Sequence, residues 1–357
     1  MSRTVRFMLL ACGLAACAAA WAREPALEGL LRGRDLTPFG FLRLDMRPAH
    51  SVTVEPGAWA VEVNLGYQNT WALSRGVQDY LLALPGRRRL GPAEFDAIRA
   101  LPGENYLADF ELGMLDIALH RKLDRHWSAY AILSVAAFGG GFLDGLIENF
   151  HDEFGFESYG RPAVQRNGTN FVFDLRGVSA QRQEMPRGGV LDPTFGMRYA
   201  VNERAEPWNV VLEGAVKVPV AGKRDFLSNG NLDAGAQATL QYVNDRHGVS
   251  VSLAAVHTRV SIAGEALARR LVPAVTAGYE FAVYPRTSLM IQGSAARAAF
   301  DGGTTDLDEL RAPKYQYAIG VRHRFERSSL TLALTENVKN VNNTPDVGLQ
   351  LGWVWWP

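Results

Sequence analysis

The chain has 357 residues, with 37 basic and 37 acidic side chains, 47% hydrophobic residues, 35 glycines and two cysteines. That content excludes disorder and collagen-like repetition. Balanced charge also excludes the basic field that nucleic-acid binding needs, so no nucleic-acid partner is expected.

Arg3 and Arg6 precede an apolar stretch from Phe7 to about Ala20, and Ala20-Trp21-Ala22 supplies a signal-peptidase pattern. The stretch is shorter than the roughly 20 apolar residues of a spanning helix, so residues 1–22 read as a signal peptide that is removed. Leu14-Ala15-Ala16-Cys17 offers a competing reading, lipid attachment at Cys17. Both cysteines, Cys12 and Cys17, lie in this segment, so a chain cut after Ala22 carries no thiol and no disulfide. Loss of Arg3 and Arg6 leaves it near neutral. Residues 23–58 are expected as a periplasmic segment ahead of the main fold, with Leu27, Leu30 and Leu31 on a short helix between Pro25 and His50, or as a tether if Cys17 is lipidated.

After residue 22 nothing is long and apolar enough for a transmembrane helix. What recurs is period-two alternation over about ten residues, the signature of a transmembrane β-strand. Trp59, Val61, Val63, Leu65, Tyr67 and Trp71 alternate with Glu62, Asn64, Gly66 and Gln68. The pattern returns at Trp208 to Val218, Leu232 to Tyr242 and Tyr315 to Phe325, and closes at Val347 to Trp355. Trp59, Trp127, Trp208, Trp355 and Trp356 fall at one end of their strands, as in an interfacial aromatic girdle. Candidate strands are 59–71, 106–120, 127–138, 190–201, 208–219, 231–243, 249–260, 271–284, 288–299, 314–325, 329–338 and 347–356. The fold class is thus all-β: an antiparallel transmembrane β-barrel of about twelve strands over residues 59–357, in the bacterial outer membrane. Short turns 121–126, 202–207, 244–248, 285–287 and 326–328 mark one end. The segment 139–189 is one long extracellular excursion. Asn170 to Leu175 is assigned to that loop, although as a wall strand it would make thirteen, and Phe39 to Met46 would bring the count to fourteen.

Within the excursion, Phe142, Leu146, Phe150 and Phe154 recur at i, i+4, i+8 and i+12 beside Leu143 and Ile147, which predicts about three helical turns and nominates a plug or lid. Asp144, Glu148, His151 and Asp152 share a more polar face; they read as a solvated face, or alternatively as a divalent-metal site. The acidic loop Asp301 to Glu309 reads likewise as exposed or calcium-binding. Cofactors are expected to be absent.

The run Gly139 to Gly160, GGGFLDGLIENFHDEFGFESYG, with Arg161 following, resembles the bacterial outer-membrane proteins grouped as domain of unknown function 3187. The resemblance implies an outer-membrane barrel and lends no activity. Lys217-Val218-Pro219 followed by Ser228-Asn229-Gly230 is also similar to barrels that take up hydrophobic compounds. Such barrels commonly end on an aromatic residue recognised by the insertion machinery, a partner expected here through the C-terminal strand; this chain ends Trp355-Trp356-Pro357. Outer-membrane lipid is the other expected partner.

By parity with their apolar neighbours, Glu62, Asp109, Glu111, Arg198, Glu213, Lys217, Glu280, Arg297, Lys314, Arg322 and Arg324 are expected to line the lumen. Mixed charge in a narrow barrel favours a gated or plugged passive channel for a small solute, hydrophobic solutes included, over an open pore. A closed structural or surface-binding barrel is the alternative. A membrane-embedded lipid hydrolase is the enzyme alternative, with His257 near Ser252 and Thr258 as its only outward histidine; no Gly-x-Ser-x-Gly, Walker or His-Glu-x-x-His pattern is present.

Overall fold

The structure, a computed structural model, describes residues 27–37, 40–49, 55–176, 178–182, 184–202, 207–222, 226–262, 265–339, 344 and 347–357. The signal-peptide and lipidation readings fall outside these residues. In chain order the elements are β1 (Trp59–Leu73), α1 (Arg75–Leu82), α2 (Pro92–Arg99), β2 (Asn105–Lys122), β3 (Trp127–Gly139), α3 (Asp144–Phe154), β4 (Asn170–Leu175), β5 (Val178–Arg182), β6 (Gly188–Val190), β7 (Thr194–Ala200) and β8 (Trp208–Lys217). They continue with β9 (Asp233–Asn244), β10 (His247–Ile262), β11 (Glu265–Tyr284), β12 (Thr287–Ala296), α4 (Asp308–Arg311), β13 (Lys314–Arg324), β14 (Ser328–Lys339) and β15 (Val347–Trp355).

Twelve strands, β1 to β3 and β7 to β15, form one antiparallel ladder that closes where β1 pairs with β15, Leu65 lying opposite Leu351. Closure leaves no edge strand, so the wall strands pair on both sides and satisfy their backbone from within the ladder. At a strand spacing of about 4.8 Å and a tilt of about 40°, twelve strands give a backbone radius of about 12 Å. Side chains about 5 Å deep leave a lumen too wide to be filled by the wall alone. Among the described residues no helix is long and apolar enough to cross a membrane.

Outward positions carry an exposed apolar band, including Leu65, Ile117, Leu133, Leu253, Ile291 and Leu351. At the short-turn end Trp59, Trp127 and Trp208 meet Arg121, Tyr199 and Tyr242 at 4.6, 4.9 and 4.5 Å. With Trp355 they form the girdle. Trp356 departs from it: the residue is buried, with the Arg324 guanidinium 5.2 Å from its ring.

Beyond the girdle's far limit β1 and β2 rise out of the wall and pair on with β4 and β5, so Asn170–Leu175 is a strand outside the twelve. One face of this extension continues the lumen and carries Tyr106, Phe110, Phe171 and Phe173 in a core with Leu36, Phe41 and Phe300. The other face buries Trp71, Leu73, Leu107 and Val172 beneath α1 and α2. The i, i+4 pair Val77 and Leu81 and the i, i+3 pair Phe95 and Ile98 make these helices amphipathic. In α2, Pro92 pre-sets the first turn and Glu94 accepts from the Gly91 amide at 2.8 Å.

Candidate functional site

The lumen is occupied by the N-terminal segment. Residues 27–37 and 40–49 neither form a helix nor lie ahead of the barrel, as residues 23–58 were expected to; they run inside it as an irregular hairpin. The reason is hydrogen bonding: an extended backbone leaves its amides and carbonyls free to pair with the polar wall side chains beside it, whereas a helix would use them internally and leave those buried wall groups without partners.

The ascending arm follows β11 to β15. The Glu280 carboxylate accepts from the amides of Glu28 and Gly29 at 3.0 and 2.7 Å. Gly29, at φ +99°, turns the chain so that both amides converge on that carboxylate. Arg322 bonds Glu280 at 3.0 Å and the Gly29 carbonyl at 3.2 Å. Gln292 accepts from the Leu31 amide at 2.9 Å, and Gln350 accepts from the Arg34 amide at 2.9 Å while donating to the Arg34 carbonyl at 3.2 Å. Gln68 donates to the Leu36 carbonyl. The chain then turns: Asp35 bonds Arg43 at 2.6 Å, and Lys314 donates to Thr37. On the descending arm the Leu44 amide donates to Asp233 at 2.9 Å, and Gln237 donates to the Arg47 carbonyl at 2.8 Å. The arm ends where Ala49 donates to Thr239 at 3.3 Å.

Four arginines of this hairpin answer carboxylates on the wall or tip. Arg34 and Arg47 both bond Asp116, which also accepts from Ser134; Arg32 bonds Glu62 at 2.9 Å. From Glu62 the network continues to His120 at 2.9 Å, to Arg198 at 3.3 Å and to Glu213 at 2.8 Å, with Tyr130 closing on Glu213. Nearer the loops, Lys217 bonds Asp192 at 3.0 Å and Asn229 at 2.8 Å. Asp192 also accepts from the Val220 and Ala221 amides at 2.8 and 2.9 Å, so its carboxylate replaces the ladder where β8 ends. A cavity of about 150 Å³ runs between the hairpin and the wall, lined in part by Leu31, Arg34, Thr276, Gln292, Gln316 and Thr335.

A family model described as Protein of unknown function (DUF3187) matches residues 99–355. The chain belongs to that family. The match begins after β1, so the lumen hairpin of this DUF3187 protein lies outside the matched residues. No curated protein matches the chain. Among solved structures, the COG4313 outer membrane channel from Pseudomonas putida F1 is similar at 13% identity and a TM-score of 0.51, covering 85% of this chain and 97% of its own. That likeness is one of fold: a closed barrel whose neighbour is an outer-membrane channel. The P. putida toluene transporter TodX aligns at 10% identity over 84% of this chain and 89% of its own, with a TM-score of only 0.36.

Within this DUF3187 barrel, the side chains of Glu62, Arg198, Glu213, Lys217, Glu280, Lys314 and Arg322 lie buried on the inner face, and Arg324 is half-buried there. Arg297 is exposed beyond the end of β12. Asp109 and Glu111 do not face the lumen. The β1–β2 register is unbroken from Leu107 to Arg121, so both stand on the same outer face as Leu115 and Ile117. Above Gly113 that face meets folded loop instead of lipid. Glu111 accepts from the Phe142 and Leu143 amides at 3.1 and 2.7 Å, and Asp109 from Asn170 at 2.7 Å. The apolar set therefore changes from odd to even residues along one straight strand.

The helix of the long loop is not inside the barrel either. Of the nominated plug residues, Leu143 and Ile147 are buried, but Phe142, Leu146, Phe150 and Phe154 are 48–68% exposed. The metal candidates are dispersed: Asp144 bonds Arg161 at 2.7 Å, Glu148 bonds Arg87 at 2.7 Å and also Arg166, and Asp152 is exposed. Among the described residues no group of three His, Cys, Asp or Glu is placed to hold a metal. In the acidic loop Asp301 bonds Arg270 at 3.2 Å and Asp306 bonds Arg176. His257 points outward while Ser252 and Thr258 are buried on the inner face, so they form no pair. A Thr287 to His323 contact of 2.8 Å does exist at the short-turn end, where the two are cross-strand partners and the imidazole lies edge-on to Phe325. That is a girdle contact, and among the described residues no carboxylate bonds the imidazole to orient it.

Alternation does not single out Arg32, Arg34, Arg43, Arg47, Asp116 or Gln292, and it places Gln68 and Gln350 on the polar face of their strands without indicating the hairpin they bond. The signal was available in Asp116: an acid at an inward position without a wall cation beside it requires one from elsewhere in the chain.

Proposed function

We propose that this chain is an outer-membrane barrel acting as a plugged passive channel for a small solute, and that the N-terminal hairpin, not the long loop, is the plug. The short-turn end faces the periplasm, to which the chain is exported, and β15 is the strand read by the insertion machinery. The observation that carries the reading is how the lumen is filled: a separate segment, joined to the wall by side-chain hydrogen bonds and ion pairs rather than by the ladder. Such a segment can leave without breaking any wall pairing. The apolar core at the outer mouth, with Phe110, Phe138, Phe171 and Phe300, supports a solute with an apolar part. No catalytic role is proposed. The closed structural barrel is the second reading, favoured by how fully the hairpin occupies the lumen, with a cavity of only about 150 Å³ beside it.

Planar-bilayer recording distinguishes them. The full chain is expected to be silent or to open briefly, and a variant lacking residues 27–49 to conduct steadily. If that deletion folds, judged by heat-modifiable gel mobility, and stays silent, the plug reading fails and the closed barrel stands. If only a deletion of 139–189 conducts, the long loop is the plug after all.

A further inference from the structure

The aromatic stripe of α3 is largely exposed, yet its setting is fixed. Asp144 and Glu148 on the opposite face are clamped by Arg161, Arg87 and Arg166, and Asp144 also accepts from Asn69 at 3.0 Å and from the Asn167 amide at 2.7 Å. These bonds prevent the helix from rolling, so Phe142, Leu146, Phe150 and Phe154 are held outward, 68, 65, 48 and 60% exposed. The chain adds to the stripe beyond the helix end. Gly155, at φ +73°, reverses the backbone, and the Phe156 amide bonds the His151 carbonyl at 2.9 Å. Phe156 thereby folds back to 5.8 Å from Phe150.

This surface is continuous with the lipid-facing wall. Tyr67 is an outward residue of β1, opposite Leu349 of β15 and Gly113 of β2. Its ring stacks on Phe142, with centroids 5.3 Å apart and planes 16° from parallel. Gly113 is also where the outer face of β2 ceases to be apolar. Tyr67 lies eight positions along β1 from the girdle residue Trp59. Along a strand tilted by about 40° this is about 20 Å of depth, close to the outer limit of an apolar band about 25 Å tall.

We propose that α3 and Phe156 form an aromatic ledge that dips into the outer leaflet beside β1, its partner being bilayer lipid at the boundary between acyl chains and headgroups. An amphipathic helix with one aromatic face belongs at that depth. The ledge is a lipid-binding surface distinct from the strand wall, and it is independent of whether the barrel conducts.

The test uses nitroxide labels on the full chain with Cys12→Ala and Cys17→Ala, reconstituted in phosphatidylcholine vesicles. Labels at Leu146→Cys, Phe150→Cys and Phe154→Cys are compared with Leu349→Cys on the wall and Asp152→Cys on the polar side of α3. Collisions with oxygen report lipid, and collisions with a water-soluble nickel chelate report solvent. The three stripe labels are expected to match Leu349→Cys, oxygen exceeding nickel, while Asp152→Cys shows the reverse. Nickel-dominated collisions at all three would overturn the proposal in favour of a solvated face. Labels shielded from both reagents would overturn it in favour of a protein partner or a second copy.

Discussion

At the scale of single residues, Asp116 is the joint on which the hairpin turns. It binds Arg34 at 2.9 Å, Arg47 and Ser134, in a position almost sealed from water. A buried ion pair is weak evidence of stability in itself, but removal of one partner strands the other charge at a cost of about 3–5 kcal/mol. Asp116→Asn is therefore expected to lower the temperature at which the folded gel band is lost and to increase spontaneous openings in bilayer recordings. Asp116→Leu combined with Arg34→Met and Arg47→Met is expected to recover much of the thermal loss, because no charge is left unpaired. The inward residues Glu62, Glu213, Lys217 and Arg322 were legible because β-alternation states a face directly. Arg34 and Arg47 were not. They sit in a segment without periodicity, and their partner is about 70 to 80 positions away, a relation that local pattern does not encode.

At the scale of elements, β2 and α3 explain one another. Alternation along β2 gave its strand and bounds but misled about Asp109 and Glu111, because polarity was read as facing the lumen when it reported a change of surroundings on the outer face. The acceptors there exist to receive the α3 start and Asn170. The helix itself was legible from the spacing of Phe142, Leu146, Phe150 and Phe154; the direction of its apolar face was not, since a plug and a ledge have the same periodicity. In α3, burial pushes the Glu148 carboxyl up, but hydrogen bonds and charge from Arg87 and Arg166 outweigh it and hold the group below its ordinary value of 4.5. A depressed folded value means that the clamp contributes fully above that ordinary value and is lost as pH falls through the lower, folded one. The hydrogen-exchange protection factors of the α3 amides, taken relative to the intrinsic exchange rate at each pH, are expected to drop on that acidic side, while those in β13 and β14 stay high. Glu148→Gln is expected to show the lower protection already at neutral pH.

At the scale of the whole molecule, the closed wall was legible because each hairpin repeats the same instruction: about ten alternating residues, then a short turn. The helices α1 and α2 escaped notice because each is only eight residues long and lies between strong strand signals. The apolar band has a defined depth, and substitutions should measure it. Ile117, opposite Val63, lies midway between the girdle and Tyr67. Ile117→Arg is expected to cost about 2–4 kcal/mol in reversible folding into bilayers, against roughly 0–1 kcal/mol for Trp59→Arg at the interface. A matching arginine at position 111 should behave as a loop-packing defect insensitive to bilayer thickness.

The lumen hairpin approaches from the short-turn end, where Leu27 lies beside Gly248, and the chain returns to that end, where the Gly57 amide meets the Lys122 carbonyl at 2.8 Å. Topologically it is an unthreaded bight. A cord laid into a ring in this way can be drawn out by its slack, with no free end passed through and no link in the ring opened. Topology therefore permits the barrel to close first and receive the bight afterwards, or to release it and take it back, without opening the wall.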